Sequence, residues 1–270
     1  MTGFTLQPRA GVAGPVELLA LAPGRLRGLG ADAVRRIVVT VGGLPVPLGD
    51  AFDVAEGGDE DTLVLRTEGF RADGIGQGMA EGRIVVQGDA GDRLGARLRG
   101  GQVTVEGRAG SHAGAAMAGG IVEILGDAGD FLGAAMPAEP RGMTGGLISV
   151  RGSAGARAGE RMRRGTIIVD GAAGEFCGAF MVAGTVAAGG ACGAHAGYGM
   201  RRGTLLLGRA PAAAPEGFVD AGSHDWVFLS LLQRHVGEPS GWLGSRPLAR
   251  ARRLIGDMAE GGRGEILIPE

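Results

Sequence analysis

Short aliphatic runs recur along this chain at a fixed interval, and each has the same internal pattern. RIVVQ (83–87), QVTVE (102–106), IVEIL (121–125), LISVR (147–151), TIIVD (166–170), TVAAG (185–189) and TLLL (204–207) carry aliphatic residues at their second and fourth positions, while the third varies freely. Period-two alternation with β-branched enrichment predicts strands with one buried face. A glycine triplet, G-x-x-G-x-x-x-G, follows all but the last run. Its leading glycines are Gly88, Gly107, Gly126, Gly152, Gly171 and Gly190, in steps of 19, 19, 26, 19 and 19. The long step is one period plus a seven-residue insert around 137–143.

Two further columns are apolar. Six residues after the leading glycine stand Leu94, Ala113, Leu132, Ala158, Cys177 and Ala196; ten residues after it stand Leu98, Met117, Met136, Met162, Met181 and Met200. Each period therefore sends side chains inward from separated stretches, which a helix with its spacings of three and four cannot do. A fixed period of about 20 residues is the signature of a solenoid. The pattern predicts an all-β chain, a right-handed parallel β-helix, its hand following the usual crossover rule. The repeat occupies 69–208 in about seven coils and opens on a degenerate coil with Gly69, Ala72, Gly76 and Met79.

The ends do not repeat. Residues 1–68 read as an N-terminal cap, with strands at 16–21 and 37–41, a short helix over 32–36 with Asp32 as N-cap, and an acidic loop at 57–61. Residues 209–270 read as a capping or docking extension. They hold a proline-punctuated connection at 210–217 and an amphipathic helix over 223–236, capped by Ser223 or Asp225, with Trp226, Leu229 and Leu232 on one face. A hairpin over 252–270 turns at Gly261 and Gly262. Trp226 and Trp242 either plug the open end of the coil or form a docking surface, since aromatics are sparse elsewhere.

Composition narrows the function classes. The chain has 56 glycines in 270 residues, yet 44% hydrophobic content argues against disorder. A net charge of −2 gives no drive toward nucleic acid or an anionic membrane, and all 27 basic residues are arginine. The start lacks a signal-peptide layout and no apolar run reaches the roughly 20 residues that span a bilayer, so a cytoplasmic protein is expected. Cys177 and Cys192 make neither a disulfide framework nor a thiolate metal cage, and Cys177 reads as a core thiol.

No catalytic, cofactor-binding or metal-ligating residue is predicted. His112 and His195 share a column but lie four coils apart, about 19 Å, too far for one ion with bonds of about 2 Å. His224 and His235 fall three turns apart on the predicted helix. Asp89, Asp127 and Asp170 read as corner residues in different columns and do not form a glycosidase pair. The glycine triplet is not a dinucleotide fingerprint, which needs one glycine loop opening a helix. The remaining candidates are Arg163, Arg164, Arg201 and Arg202, two pairs in one register two coils apart. They read as a stripe for an anion or acidic partner, or as a solvated face that keeps an edge from pairing.

The stretches GDAGDFLGAAMPAEPRGMTGG (126–146), RAGERMRRGTIIVDGAAGEFCG (157–178), YGMRRGTLLLG (198–208), HDWVFLSLLQRHV (224–236) and RRLIGDMAEGGRGEIL (252–267) add a family resemblance, joined by VPLGDAFDV (46–54) at the cap. The coil pattern resembles the C-terminal β-helical domain of glutamate synthase. The PAEPRGM insert and the GMRRGTL coil resemble the C subunit of formylmethanofuran dehydrogenase and of its bacterial relative, the formyltransferase/hydrolase complex. The resemblance implies a non-catalytic structural subunit of a complex that converts formyl-tetrahydromethanopterin, via formylmethanofuran, to formate in formaldehyde oxidation. Its expected partners are formyltransferase, amidohydrolase-like and dehydrogenase-like subunits. The methanofuran-type carrier, the tetrahydromethanopterin and the catalytic metals would sit on those partners. Because such carriers have polyglutamate tails, the resemblance also makes Arg163 and Arg201 candidates for holding one. The alternatives are the C subunit of a molybdenum or tungsten formylmethanofuran dehydrogenase, and a spacer of the glutamate synthase type.

Overall fold

From the N-terminus, β1 (Phe4–Pro8) and β2 (Val16–Glu17) precede two short helices, α1 (Pro23–Leu26) and α2 (Ala31–Arg35), and the hairpin β3 (Val38–Val41) and β4 (Leu44–Pro47). After α3 (Leu48–Ala51) come β5 (Phe52–Glu56), β6 (Thr62–Arg66) and β7 (Ala72–Asp73). Each recurring aliphatic run then forms one strand: β8 (Arg83–Gln87), β9 (Gln102–Val105), β10 (Ile121–Ile124), β11 (Leu147–Val150), β12 (Thr166–Val169), β13 (Thr185–Ala188) and β14 (Arg202–Leu207). β15 (Val219–Asp225), α4 (Val227–His235), β16 (Arg250–Gly256) and β17 (Arg263–Pro269) follow. The structure, a computed structural model, describes residues 3–270 except 13, 20, 60, 69, 212, 213, 237–240 and 246. Ala20, Glu60, Gly69, Ala212 and Ala213 of the expected elements lie outside the described residues.

The chain is all-β in its architecture, dominated by one sheet of 13 strands among the described residues. From β8 to β14 consecutive strands pair in parallel, displaced by one period or, between β10 and β11, by one period plus the insert, so that Ile84 lies opposite Val103, Val103 opposite Val122 and Val122 opposite Ile148. Adjacent parallel strands cannot be joined by a tight turn. The glycine-triplet segment leaves the sheet and returns, and on the way it rests on the preceding coil. There Ala90, Ala109, Ala128, Ala154, Ala173 and Cys192 form a second parallel ladder. The third glycine of each triplet also donates backward, Gly114 to the Leu94 carbonyl at 2.7 Å and Gly133 to the Ala113 carbonyl at 2.8 Å.

The stacking fixes where glycine is required. A Cβ on Gly129 would come within 2.8 Å of the Gly110 carbonyl carbon in the coil before. A fourth glycine column, missed in the sequence pattern, opens the strands. Its member Gly165 has φ +97, and a Cβ there would meet the Met143 methyl at 2.7 Å. Asp89 and Asp127 occupy one column rather than two. Their carboxylates accept the Arg108 amide (2.7 Å) and the Ser153 amide (2.8 Å) of the next coil. Asp170 stands apart and accepts the Trp242 amide at 3.3 Å.

The inward columns form the core. Leu94, Ala113, Leu132, Ala158 and Cys177 are fully buried, as are Met117, Met162, Met181 and Met200. Met136 is not in the methionine column; it is half-buried and Met143 takes the inward place. Hydrogen bonds from Met143 N to Gly133 O (2.9 Å) and from Thr144 N to Met117 O (2.7 Å) set that register, so the extra residues are extruded before Met143.

At both ends further strands join the stack in parallel and the outermost strands turn antiparallel. β6 pairs with β8, β1 with β6, and β5 lies along the outer edge of β1. Asp32 is not an N-cap; Gly30 holds that place, and Asp32 pairs with Arg35 at 2.7 Å in the first turn. At the other end β17 adds in parallel to β14, and β16 and β15 turn back antiparallel. The hairpin turns through Gly261 and Gly262 as expected. The helix is shorter than expected. Ser223 and Asp225 belong to β15 opposite Arg252 and Arg250, and α4 starts after Trp226 with no side-chain cap. His224 is therefore on a strand, with Nε2 2.9 Å from the Ala221 carbonyl, and shares no helix face with His235. Phe218, Leu254 and Ile266 join the coil core at this end. The tryptophans instead pack beside Leu229, Leu232 and Leu243 on the outer face of the sheet, over Ile168, Ala187 and Leu206.

Replacing Met143 by Ala should destabilise the chain by about 2–5 kcal/mol, the range for a buried methionine, whereas Met136→Ala should cost under about 1 kcal/mol. Guanidinium midpoints of the two variants check the register directly. The edge strand supplies a pH test. Arg252 and the Gly222 amide hold the Asp220 carboxyl below its ordinary range. A lowered pKa means that the clamp is complete above the unfolded value, about 3.9, and is lost as pH falls through the folded one. Intrinsic-rate-corrected exchange of the Gly222 amide should rise below about pH 4 and be fast at all pH in D220A, which removes the acceptor.

Candidate partner-binding surface

The stacking places chemically active side chains on the outside, in columns. Arg93, His112, Phe131, Arg157, Phe176 and His195, each five residues after a leading glycine, all hold φ between 57 and 62. Left-handed backbone costs a non-glycine residue about 1–2 kcal/mol. Here it lets the first five amides donate to the next coil, as His112 N does to Asp130 O and Phe131 N to Ala156 O, both at 2.8 Å. It also turns the side chains outward, one above another.

The result is a ladder of flat groups. The His112 and Phe131 rings stack at 4.7 Å, Arg157 sits between Phe131 and Phe176 with its guanidinium 6.0 and 4.7 Å from their centroids, and Phe176 stacks on His195 at 4.7 Å. The ring spacing equals the separation of paired strands. Tyr198 meets Phe180 edge-on at 5.5 Å, and Arg161 lies 5.6 Å over Phe180. His112 and His195 are thus the two ends of one stack. Aromatics at the tryptophan end are not the main exposed set, since Phe180 and Tyr198 are exposed and Trp226 and Trp242 are half-buried. The sequence did carry a signal, since the fifth position is His, Phe or Arg in six successive coils.

Arg163, Arg164, Arg201 and Arg202 are all exposed. The structure brings Arg163 and Arg201 together with Arg161 and Phe180 around an open depression of about 610 Å³. Arg201 is paired with Glu260 at 3.0 Å, whereas Arg163 has no ion pair among the described residues. Arg164 and Arg202 do not line that depression. A second depression of about 1220 Å³ lies between the ladder and the extruded insert, walled by His112, Phe131, Met136 and Pro137. The insert is tied down by an Arg97–Glu139 ion pair.

The neighbouring Cys192, through a side-chain hydrogen bond, and burial push the Cys177 thiol well above its ordinary range. Among the described residues no group of three or more His, Cys, Asp or Glu is placed to hold a metal ion. None of their helices is long and apolar enough to cross a membrane.

These features define a class: an all-β protein of stacked parallel coils that carries its polar and aromatic groups on the outer surface. No protein-family model matches the chain. Its structure superposes on a chain of the crystal structure of the formyltransferase/hydrolase complex from Methylorubrum extorquens in complex with methylofuran. The TM-score is 0.86 and the identity 36%, over 98% of this chain and 99% of that one. It is also 38% identical over 91 residues, 33% of its length, to the C subunit of molybdenum-containing formylmethanofuran dehydrogenase 1 from Methanothermobacter marburgensis and from Methanothermobacter wolfeii. That match spans 22% of the length of those curated relatives. The chain belongs to the family formed by the C subunit of formylmethanofuran dehydrogenase and its counterpart in the formyltransferase/hydrolase complex.

In the native protein at pH 7–8, iodoacetamide should label the partly exposed Cys192 and leave Cys177 at least tenfold slower, a difference that vanishes in guanidinium. Peptide mass spectrometry reads both sites.

Proposed function

We propose that this chain is the non-catalytic structural subunit of a cytoplasmic formyltransferase/hydrolase complex, which converts formyl-tetrahydromethanopterin via formylmethanofuran to formate. The observation that carries this reading is the likeness to a chain of such a complex over 98% of the sequence. Its partners are formyltransferase, amidohydrolase-like and dehydrogenase-like subunits, and these hold the methanofuran-type carrier, the tetrahydromethanopterin and the catalytic metals. The coil stack is a right-handed parallel β-helix over 69–208, a rigid spacer that sets the distance between partners, with the segments 1–68 and 209–270 as cap and docking extension. Arg163, Arg164, Arg201 and Arg202 present positive charge to an acidic partner surface or to a polyglutamate tail.

A second reading, the C subunit of a molybdenum or tungsten formylmethanofuran dehydrogenase, is favoured by the 38% identity to the archaeal subunits over 91 residues. Affinity purification from the native host separates the two. The first expects formyltransferase and hydrolase chains with no stoichiometric molybdenum or tungsten; either metal in the assembly supports the second. The isolated chain should show no turnover. Charge reversal at Arg163 and Arg201 together should weaken assembly, or raise KM for the carrier, by about tenfold, the scale of two lost charge pairs. Unchanged assembly and kinetics would remove the arginine role.

A further inference from the structure

The two depressions are one trough. Pro140 and Arg161 line both of them. The trough runs along the stack from His112, in the coil that opens at Gly107, to Arg201, in the coil that opens at Gly190. That is four coil steps, about 19 Å at the spacing of paired strands.

Its two ends differ in chemistry. At the insert end the walls are Phe131, Met136, Pro137 and Pro140, with an apolar character. The carboxylates there are already engaged, Glu139 with Arg97, and Glu160 with Arg157 at 3.2 Å and Arg161 at 3.4 Å. At the other end Arg161 is held by Glu160 and Arg201 by Glu260, while Arg163 has no carboxylate among the described residues. The trough is therefore apolar at one end and carries one unneutralised guanidinium at the other.

We propose that this trough takes one extended segment of a partner subunit, apolar where it meets the insert and acidic where it meets Arg163 and Arg201. An extended chain rises about 3.3 Å per residue, so about six residues fill it. Carboxylates at one end neutralise Arg163, while an apolar side chain enters between Phe131 and Pro137. The inference rests on the reading of the chain as a subunit of a hetero-oligomer, and specifies how one partner grips it.

The test is photo-crosslinking in the complex purified from its native host. p-Benzoylphenylalanine replaces Ala138 at the insert end, Phe180 at the arginine end, or the exposed Leu125 as a control outside the trough. The expected result is that crosslinks from 138 and 180 fall within a single partner stretch of about ten residues. Asp or Glu should stand at the end reached from 180, with no such crosslink from 125. Arg163→Glu combined with Arg161→Glu should lower the yield at 180 at least fivefold while the thermal midpoint stays within a few degrees. Crosslinks to separate surfaces, to a second copy of this chain, or to no protein in an intact complex overturn the proposal. A contiguous acidic stretch from a protein that is none of the formyltransferase, amidohydrolase-like and dehydrogenase-like subunits would keep the trough and overturn the proposed function. Absence of any assembly overturns both.

Discussion

Backbone stacking between successive coils is the constraint on which the rest of this structure depends. Coils one strand spacing apart leave no room for a Cβ where the chain turns, and Gly129 would strike the Gly110 carbonyl carbon. Glycine at such positions loses more chain entropy than other residues, about 0.5–1 kcal/mol each relative to Ala. The loss is offset by what close approach allows: amide-to-carbonyl bonds between coils, each worth about 0.5–1.5 kcal/mol net, and columns of fully buried aliphatic and methionine side chains. The carboxylates of Asp89 and Asp127 serve the same contact by accepting amides of the next coil at the corners.

The same constraint sorts chemistry to the outside. The inward places of each coil are taken by residues such as Leu94, Met117 and Cys177, all fully buried. Cys177 shows the consequence, because the hydrogen bond with Cys192 and burial there raise its thiol and make it a poor nucleophile. Outward positions repeat at the coil spacing, so flat groups of different kinds fall into register. His112, Phe131, Arg157, Phe176 and His195 stack because the backbone beneath them stacks.

The period, the seven coil strands and the inward columns were legible in the sequence, because each column repeats one residue type at one spacing. What failed to read has a physical reason in each case. Met136 and Met143 are seven residues apart, the length of the insert, so either could continue the methionine column. Only the hydrogen bond from Thr144 N to Met117 O decides between them. The third strand position looked variable, yet Ile168, Ala187 and Leu206 turn apolar together because α4 covers them. Ser223 and Asp225 resemble caps in sequence but are held in β15 by Arg252 and Arg250 across the strand pair. The ladder was hidden because His, Phe and Arg share no hydropathy. Their common property is a flat π surface, and only stacking reveals it.

A repeat stack contacts only its neighbouring coils, so an outward residue can change without disturbing the inward columns. Such a residue is accounted for by its contacts on the outer face or by what it meets beyond the chain. Arg157 is stacked between two rings and paired with Glu160, and those contacts account for it within the fold. Arg163 has neither ring nor carboxylate among the described residues, though its coil is in register with its neighbours and its backbone amide is bonded to Met143 O at 2.8 Å. An exposed, unpaired guanidinium adds little to the stability of the free chain. Its interaction strengthens only when a partner excludes water and supplies the carboxylate. The fold therefore accounts for where Arg163 stands, and the proposed partner segment would account for its being arginine.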